Sequence, residues 1–338
     1  MNAAIGPYSV EAYNTSKESE NKIHDDAVAK RFGFSGGLVP GVDVYGYMMH
    51  PAVAMWGRSW LVHGTAECRL IKPVYDGKIA TILASETADG LEIQVESEKM
   101  LCATGSAALP EPVAPPALAD FRAVDVRSTR PPADEASLAE GTWLGIKPFP
   151  VTADYAAQYL KDLRETDTLY AREGLVHPGL ILRLCNWALS HNVVLGPWIH
   201  VGSTVQNFAA AHIGDTLSVR ARITGNYERK GHRFADLDVL VLANGTTPVA
   251  RDPASREKRS CRLAKDGRVA VDVAGRRLRG YQRHVVEWRH EDAPVEHEEV
   301  QVAVELLVLG SGRLAAVLWR HRPRPVLGPA PQARDDPR

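Results

Sequence analysis

Residues Ser19 to Gly41 read SENKIHDDAVAKRFGFSGGLVPG. An asparagine and a histidine stand three apart, Asn21 and His24, and two acids, Asp25 and Asp26, follow directly. A glycine-rich turn comes next, then Pro40-Gly41 and a long apolar run. Histidine titrates near neutrality and can take or give a proton at physiological pH. A glycine that opens a helix offers an unshielded backbone N–H, reinforced by the positive end of the helix dipole. The two features together suit a reaction in which a proton moves while negative charge develops on an oxygen. In that reading His24 is the base, Asn21 orients the water or the ring, and Gly41 is the donor to the oxyanion, with Val42 beside it as a secondary candidate. Plainer readings stand next to these. Asn21 is also a suitable cap for a segment starting at Lys22 or Asp25, and Asp25-Asp26 suits the negative charge favoured at a helix N-terminus.

The elements that must hold these residues occur twice. GGLVPGVDVYG (Gly36 to Gly46) resembles EGLVHPGLILR (Glu173 to Arg183), and HGTAECRLIKPVYDGKIATI resembles HVGSTVQNFAAAHIGDTLSV. Pairing His63 with His200 and Gly77 with Gly214 gives one offset, 137 (200 − 63 and 214 − 77). Gly41 and Gly179 differ by 138 (179 − 41), which asks for one residue of slippage. VDVYGYMMHPAVAMW and LILRLCNWALSHNVVL are apolar nearly all round, the mark of a buried helix. Alternating or β-branched runs follow each: KIATILASE, LEIQVESE and MLCATGSAAL, then TLSVRARITG, RFADLDVLVLA and TPVAR. Ala88-Asp89-Gly90 and Ala243-Asn244-Gly245 are hairpin turn signals. Each unit therefore reads as an α+β body, a curved antiparallel sheet wrapped round a buried helix.

Four stretches result. Residues 1–109 form a first unit with the His motif, and 147–262 a second unit without it, because Tyr159 and Asp162 fall where Asn21 and His24 would be counted. Residues 110–146, rich in Pro and Ala, read as a surface linker. Residues 263–338 form an Arg/Pro-rich tail, partly disordered, with a hairpin about Gly310-Ser311-Gly312. His50, His63, His191 and His200 read as packing or surface residues, and His177, at the second glycine turn, as structural. Trp56, Trp60, Trp187 and Trp198 read as core.

Composition excludes several classes. A net charge of −1 over 338 residues gives no general pull toward nucleic acid. No apolar stretch is long enough for a membrane span, and the N-terminus lacks the basic-then-apolar pattern of a secretory signal. Cys68, Cys102, Cys185 and Cys261 form no CxxC pair, and no metal spacing is present. A cytoplasmic protein with neither metal nor cofactor is expected.

The stretch ENKIHDDAVAKRFGFSGGLVPG resembles the hydratase motif of the MaoC-like family of hot-dog-fold (R)-specific enoyl-thioester hydratases and dehydratases, carried by Asn21, Ile23, His24, Asp26, Gly33 and Phe34. The tandem repeat resembles the double hot-dog members of that superfamily, from about Ser9 to Arg262. The resemblance implies a double hot-dog fold and an acyl-CoA or acyl-carrier-protein thioester as substrate; a homodimer is the candidate assembly. The family's catalytic Asp, five residues before the His, is replaced by Ser19, with Glu20 adjacent. Loss of such a carboxylate costs a factor of about a hundred to ten thousand in acid/base catalysis. Three functions follow: a hydratase/dehydratase, an acyl-thioester binder that has lost its acid, or a thioesterase. For the last, Asp43 is the acid to watch, being the carboxylate on the first central helix.

Overall fold

A computed structural model of the chain describes residues 4–229, 232–253 and 314–318. The first unit opens with strand β1 (Ala4–Glu11) and a polar segment holding a 3-10 turn (Lys22–His24) and the short helix α1 (Asp26–Arg31). The central helix α2 (Gly41–Trp56) follows, then α3 (Arg58–His63) and strands β2 (Thr65–Leu70), β3 (Ile79–Thr87), β4 (Gly90–Ser97) and β5 (Met100–Ala108). The second unit comprises β6 (Trp143–Gly145), β7 (Phe149–Pro150), α4 (Ala153–Asp162), α5 (Leu169–Glu173), the central helix α6 (Pro178–Ser190), β8 (Trp198–Asn207), β9 (Thr216–Arg229), β10 (His232–Ala243) and β11 (Thr247–Asp252). A last strand, β12, spans Leu314–Leu318.

Among the described residues the strands form one sheet in the order β1-β3-β4-β5-β2-β8-β11-β10-β9-β6. The units meet at β2 and β8, antiparallel from Thr65 opposite Gln206 to Arg69 opposite Gly202. The turns match their sequences. Asn244 and Gly245 both have positive φ, 52° and 75°, the geometry that an Asn-Gly hairpin requires.

The repeat is tighter than the sequence suggests. The central helices start at Gly41 and Pro178, and the isolated bridges Leu38–Tyr75 and Leu175–His212 mark the turns before them. All three pairs keep the offset of 137 (178 − 41, 175 − 38, 212 − 75). No slippage is needed, and Pro178, not Gly179, is the counterpart of Gly41. Gly179 serves a different end. A Cβ on it would lie 3.2 Å from Gly46 Cα and 2.6 Å from the Tyr159 hydroxyl, so the two glycines let the central helices touch backbone to backbone.

Two segments outside the paired units add to the fold. The stretch read as a surface linker is pinned down: Phe121 is buried against Leu240 and Leu242, and Leu138 is fully buried. Its role follows from β10, whose apolar run is buried on both faces, by α6 within and by this segment without. The tail also contributes to the sheet. β11 pairs with Val239–Ala243 of β10, and β12 pairs with Arg233–Leu237 of the same strand and with Trp198–Gly202 of β8. β12 thus occupies the half of that lane which β11 leaves. The expected hairpin turn about Gly310-Ser311-Gly312 and the Pro-rich end lie outside the described residues.

Candidate active site

His24 closes the 3-10 turn, and its ring is half-buried. Nδ1 is 2.7 Å from the Leu38 carbonyl oxygen. A carbonyl only accepts, so Nδ1 carries the hydrogen and Nε2 presents a lone pair. Burial pushes the ring's pKa down, against the opposing pull of the Leu38 bond and the Asp43 carboxylate, so the imidazole is neutral and basic at pH 7. Leu38 lies three residues before α2, so this bond ties the ring to the start of the central helix.

Asn21 does not cap the turn it precedes; its side chain makes no cap hydrogen bond. It reaches across to the second unit instead. Its amide Nδ2 donates to the Trp198 carbonyl at 2.9 Å, and its Oδ1 accepts the Trp198 N–H at 3.2 Å. The side chain thereby imitates a neighbouring strand at the end of β8, where β2 no longer pairs. That pairing also fixes the amide's orientation, placing Nδ2 3.3 Å from His24 Nε2 as the donor to it.

Gly41 and Val42 are the first residues of α2, where backbone N–H groups have no intrahelical acceptor. The Asp43 and Val44 amides turn back to the Pro40 carbonyl at 2.9 and 3.1 Å. A Cβ on Gly41 would collide with Leu70 Cδ1 and come within 3.1 Å of His200 Cβ. His200, read from sequence as packing or surface, is therefore buried directly against this glycine. Its Nε2 faces the Gly202 carbonyl at 3.0 Å and Ser203 Oγ at 2.9 Å, so Nε2 carries the hydrogen, and Nδ1 is buried without a partner. Burial holds its pKa down at about 4.

Asp43, fully buried, accepts from Thr15 Oγ1 at 2.6 Å, from the Arg183 guanidinium at 2.6 Å and from the Tyr159 hydroxyl at 3.3 Å. The same guanidinium reaches Thr15 Oγ1 at 2.7 Å and lies over the Tyr159 ring. The acid singled out for thioester hydrolysis is thus engaged by a cation and two hydroxyls. Ser19 folds back on its own segment, its hydroxyl 3.3 Å from the Asn21 carbonyl. Glu20 projects outward into a two-pronged pair with Arg130, at 2.8 and 3.1 Å, and that partner lowers its pKa.

The second unit differs at the matched positions. Pro178, at the place of Gly41, has no backbone N–H to offer. His177 caps α6, its Nδ1 accepting the Gly179 N–H at 3.1 Å, which is the structural role expected for it. Its Nε2 lies 3.4 Å from Glu165, a buried carboxylate that also faces His50 Nδ1 at 2.8 Å and accepts the Thr166 and Asp167 amides. Gly174, at the end of α5, and Gly33, after α1, both have positive φ. Sequence reasoning missed Glu165, as it missed Arg183.

Among the described residues no group of three or more His, Cys, Asp or Glu side chains could hold a metal ion, and no helix is long and apolar enough to cross a membrane. No protein-family model matches the sequence, and no curated protein matches it. Solved structures do. Rv0216 from Mycobacterium tuberculosis, described as essential for bacterial survival during infection and as having a double hotdog fold, superposes with a TM-score of 0.52 at 14% identity, covering 74% of this chain and 94% of that one. A protein from Chloroflexus aurantiacus J-10-fl, described as a MaoC domain protein dehydratase, superposes with a TM-score of 0.50 at 11% identity, covering 74% of this chain and 93% of that one. Two buried central helices, one continuous antiparallel sheet and these superpositions agree: the chain has a double hot-dog fold, one it shares with MaoC-like dehydratases.

Proposed function

We propose that this chain is an (R)-specific enoyl-thioester hydratase, running equally as a 3-hydroxyacyl-thioester dehydratase, on acyl-CoA or acyl-carrier-protein substrates in the cytoplasm. The observation that carries the reading is the neutral His24, with its Nδ1 anchored to the residue three before α2 and its Nε2 lone pair met at 3.3 Å by the Asn21 amide, a contact that the reacting water takes over. In the forward direction Nε2 takes a proton from water as the water oxygen bonds to the β-carbon. The electron pair of the C=C shifts toward the thioester oxygen, which the Gly41 and Val42 amides stabilise at the helix N-terminus. His24 then returns its proton to the α-carbon. With Ser19 in the acid's place, one imidazole performs both transfers, while Asn21 holds the ring and steadies the water.

A second reading, a thioester binder without turnover, is favoured by Ser19 and by the Asn21 N–H directed at His24 Nε2. Hydrolysis is disfavoured because Asp43 is neutralised by Arg183. Purified protein incubated with crotonyl-CoA and with (R)-3-hydroxybutyryl-CoA, followed by enoyl absorbance and free thiol, separates the three. The expected outcome is slow interconversion without thiol release, abolished in His24→Ala and raised in Ser19→Asp by up to the hundredfold or more that a positioned acid contributes. Turnover that survives His24→Ala, or thiol release in place of hydration, refutes it.

A further inference from the structure

β11 and β12 share one lane of the sheet, between β8 and β10, and run in the same direction. Both neighbours give the same register. Along β10, Asp252 lies opposite Val239 and Leu314 opposite Leu237, so one position, opposite Asp238, lies between them, the place of Pro253. Along β8, Arg251 lies opposite Gln206 and Ala315 opposite Gly202. Counting inward from each puts Pro253 at Thr204 and Leu314 at Ser203, with no position left over. The two strands are halves of one. Residues 254–313, sixty in number (313 − 254 + 1), leave the lane and re-enter it at a single point. At that point the Thr204 N–H is taken by the Asp252 side chain at 3.1 Å. The second half of the lane also flanks the candidate site. Leu318 is opposite Trp198, whose backbone holds Asn21, and Ala316 is opposite His200, which packs on Gly41.

A strand in such a lane is held by a row of backbone hydrogen bonds on each side, and without it β8 and β10 present two facing unpaired edges. Chain connectivity does not decide whose β12 fills the slot. Sixty residues span up to roughly 200 Å when extended. A tether of that length holds its own strand at an effective concentration of no more than about 1 mM. The same backbone pairs form whether the strand comes from one chain or from another. We propose that the slot between Trp198–Gly202 and Arg233–Leu237 is a strand-acceptor site whose partner is a second copy of this chain, the two copies exchanging β12 to make a dimer. β11 stays with its own body, tied to β10 by the tight turn at Asn244-Gly245. Pro253 marks the point of departure, since a proline cannot donate to a ladder. In the dimer each copy's β12 backs the Trp198 segment of the other, so each candidate site is braced by its partner. The inference stands apart from the proposed reaction.

The full chain, unfolded in guanidinium and refolded at about 5 μM and at about 500 μM, tests it, because only the higher concentration approaches that of the tethered strand. Light scattering behind size exclusion finds monomer at the lower concentration and roughly a third or more of the protein as dimer at the higher. Connectivity is read from the double variant Ala235→Cys with Ala316→Cys, two positions opposite one another in the ladder. After oxidation, non-reducing denaturing electrophoresis shows the bridge between chains in the dimer fraction and within one chain in the monomer, with the parent oxidised alike as the control. Excising residues 254–313 together with Pro253→Thr makes the strand continuous. That variant is monomeric at both concentrations, with a Tm no lower than the parent's. A full chain that is monomeric at both concentrations, a dimer without the inter-chain bridge, or an excised chain that dimerises like the parent or fails to fold overturns the proposal.

Discussion

Replacing Arg183 by methionine isolates the contribution of the ion pair beneath the candidate site. The guanidinium is 2.6 Å from the fully buried Asp43 and holds Thr15 as well. Met keeps the stem's volume and removes the charge. Stripping one partner from a buried pair costs about 3–5 kcal/mol, because the remaining charge has lost its compensation. The first turn of α2 returns about 1 kcal/mol to a carboxylate there, and the Thr15 and Tyr159 hydroxyls still donate. The net loss is then roughly 2–4 kcal/mol, which at about 2–4 °C per kcal/mol for a body of this size lowers Tm by roughly 5–15 °C. The double variant Asp43→Leu with Arg183→Met discriminates the cause, since swapping a whole buried pair for apolar groups is often neutral or stabilising. It recovers most of the lost Tm in differential scanning calorimetry. A single variant within 2 °C of the parent, or a double variant as low as the single, refutes the assignment of the loss to an unpaired Asp43.

Two further outcomes are expected. The folded-state pKa of His200, about 4, lies below its unfolded value of about 6.5. The unfolded chain therefore takes up a proton that the folded one refuses, and stability falls as pH drops from 6.5 toward 4, by at most about 3 kcal/mol. His24, pushed down by burial, adds to the same slope. Urea midpoints from pH 7 to 4.5 fall less steeply in His200→Gln, and an unchanged slope counts against this account. Ending the chain after Arg320 leaves β12 whole and Tm unchanged, whereas ending it after Gly310 bares the facing backbone of β8 and β10 and lowers Tm; equal Tm values for the two truncations exclude a docked strand.

What could be read from the sequence were the features written in short-range pattern. The period of two in LEIQVES, the Asn-Gly turn and the all-apolar central helices each announce their structure within about ten residues. The position of Pro178 was misjudged because glycine was taken as the sign of the helix start. The cap geometry at Pro40 and His177 sets that start, and the second glycine is spent on the helix crossing. The pairing of Asp43 with Arg183 spans 140 residues, and that of His50 with Glu165 spans 115. No local pattern carries such a distance, although an arginine inside LILRLCNWAL is a charge that must find an acid somewhere. The destination of Asn21 was hidden for the same reason. Its partner is a backbone 177 residues away, and backbone leaves no trace in side-chain identity. The linker has the composition of an exposed strap and most of it is exposed, but its buried anchor Phe121 answers the apolar outer face of β10, which no local pattern announced.

The substitution of proline for glycine at matched helix starts also sets a stoichiometry. Two like units related by a common offset would present two equivalent anion-binding helix ends, and a ligand would titrate such a body at two per chain. Here one end keeps its amide and the other has had it removed covalently by a pyrrolidine ring, so no rotamer change or loop movement can restore it. On the proposed reading of Gly41 the chain is a pair with a single mouth: saturation is expected at one equivalent, with no cooperativity between its halves.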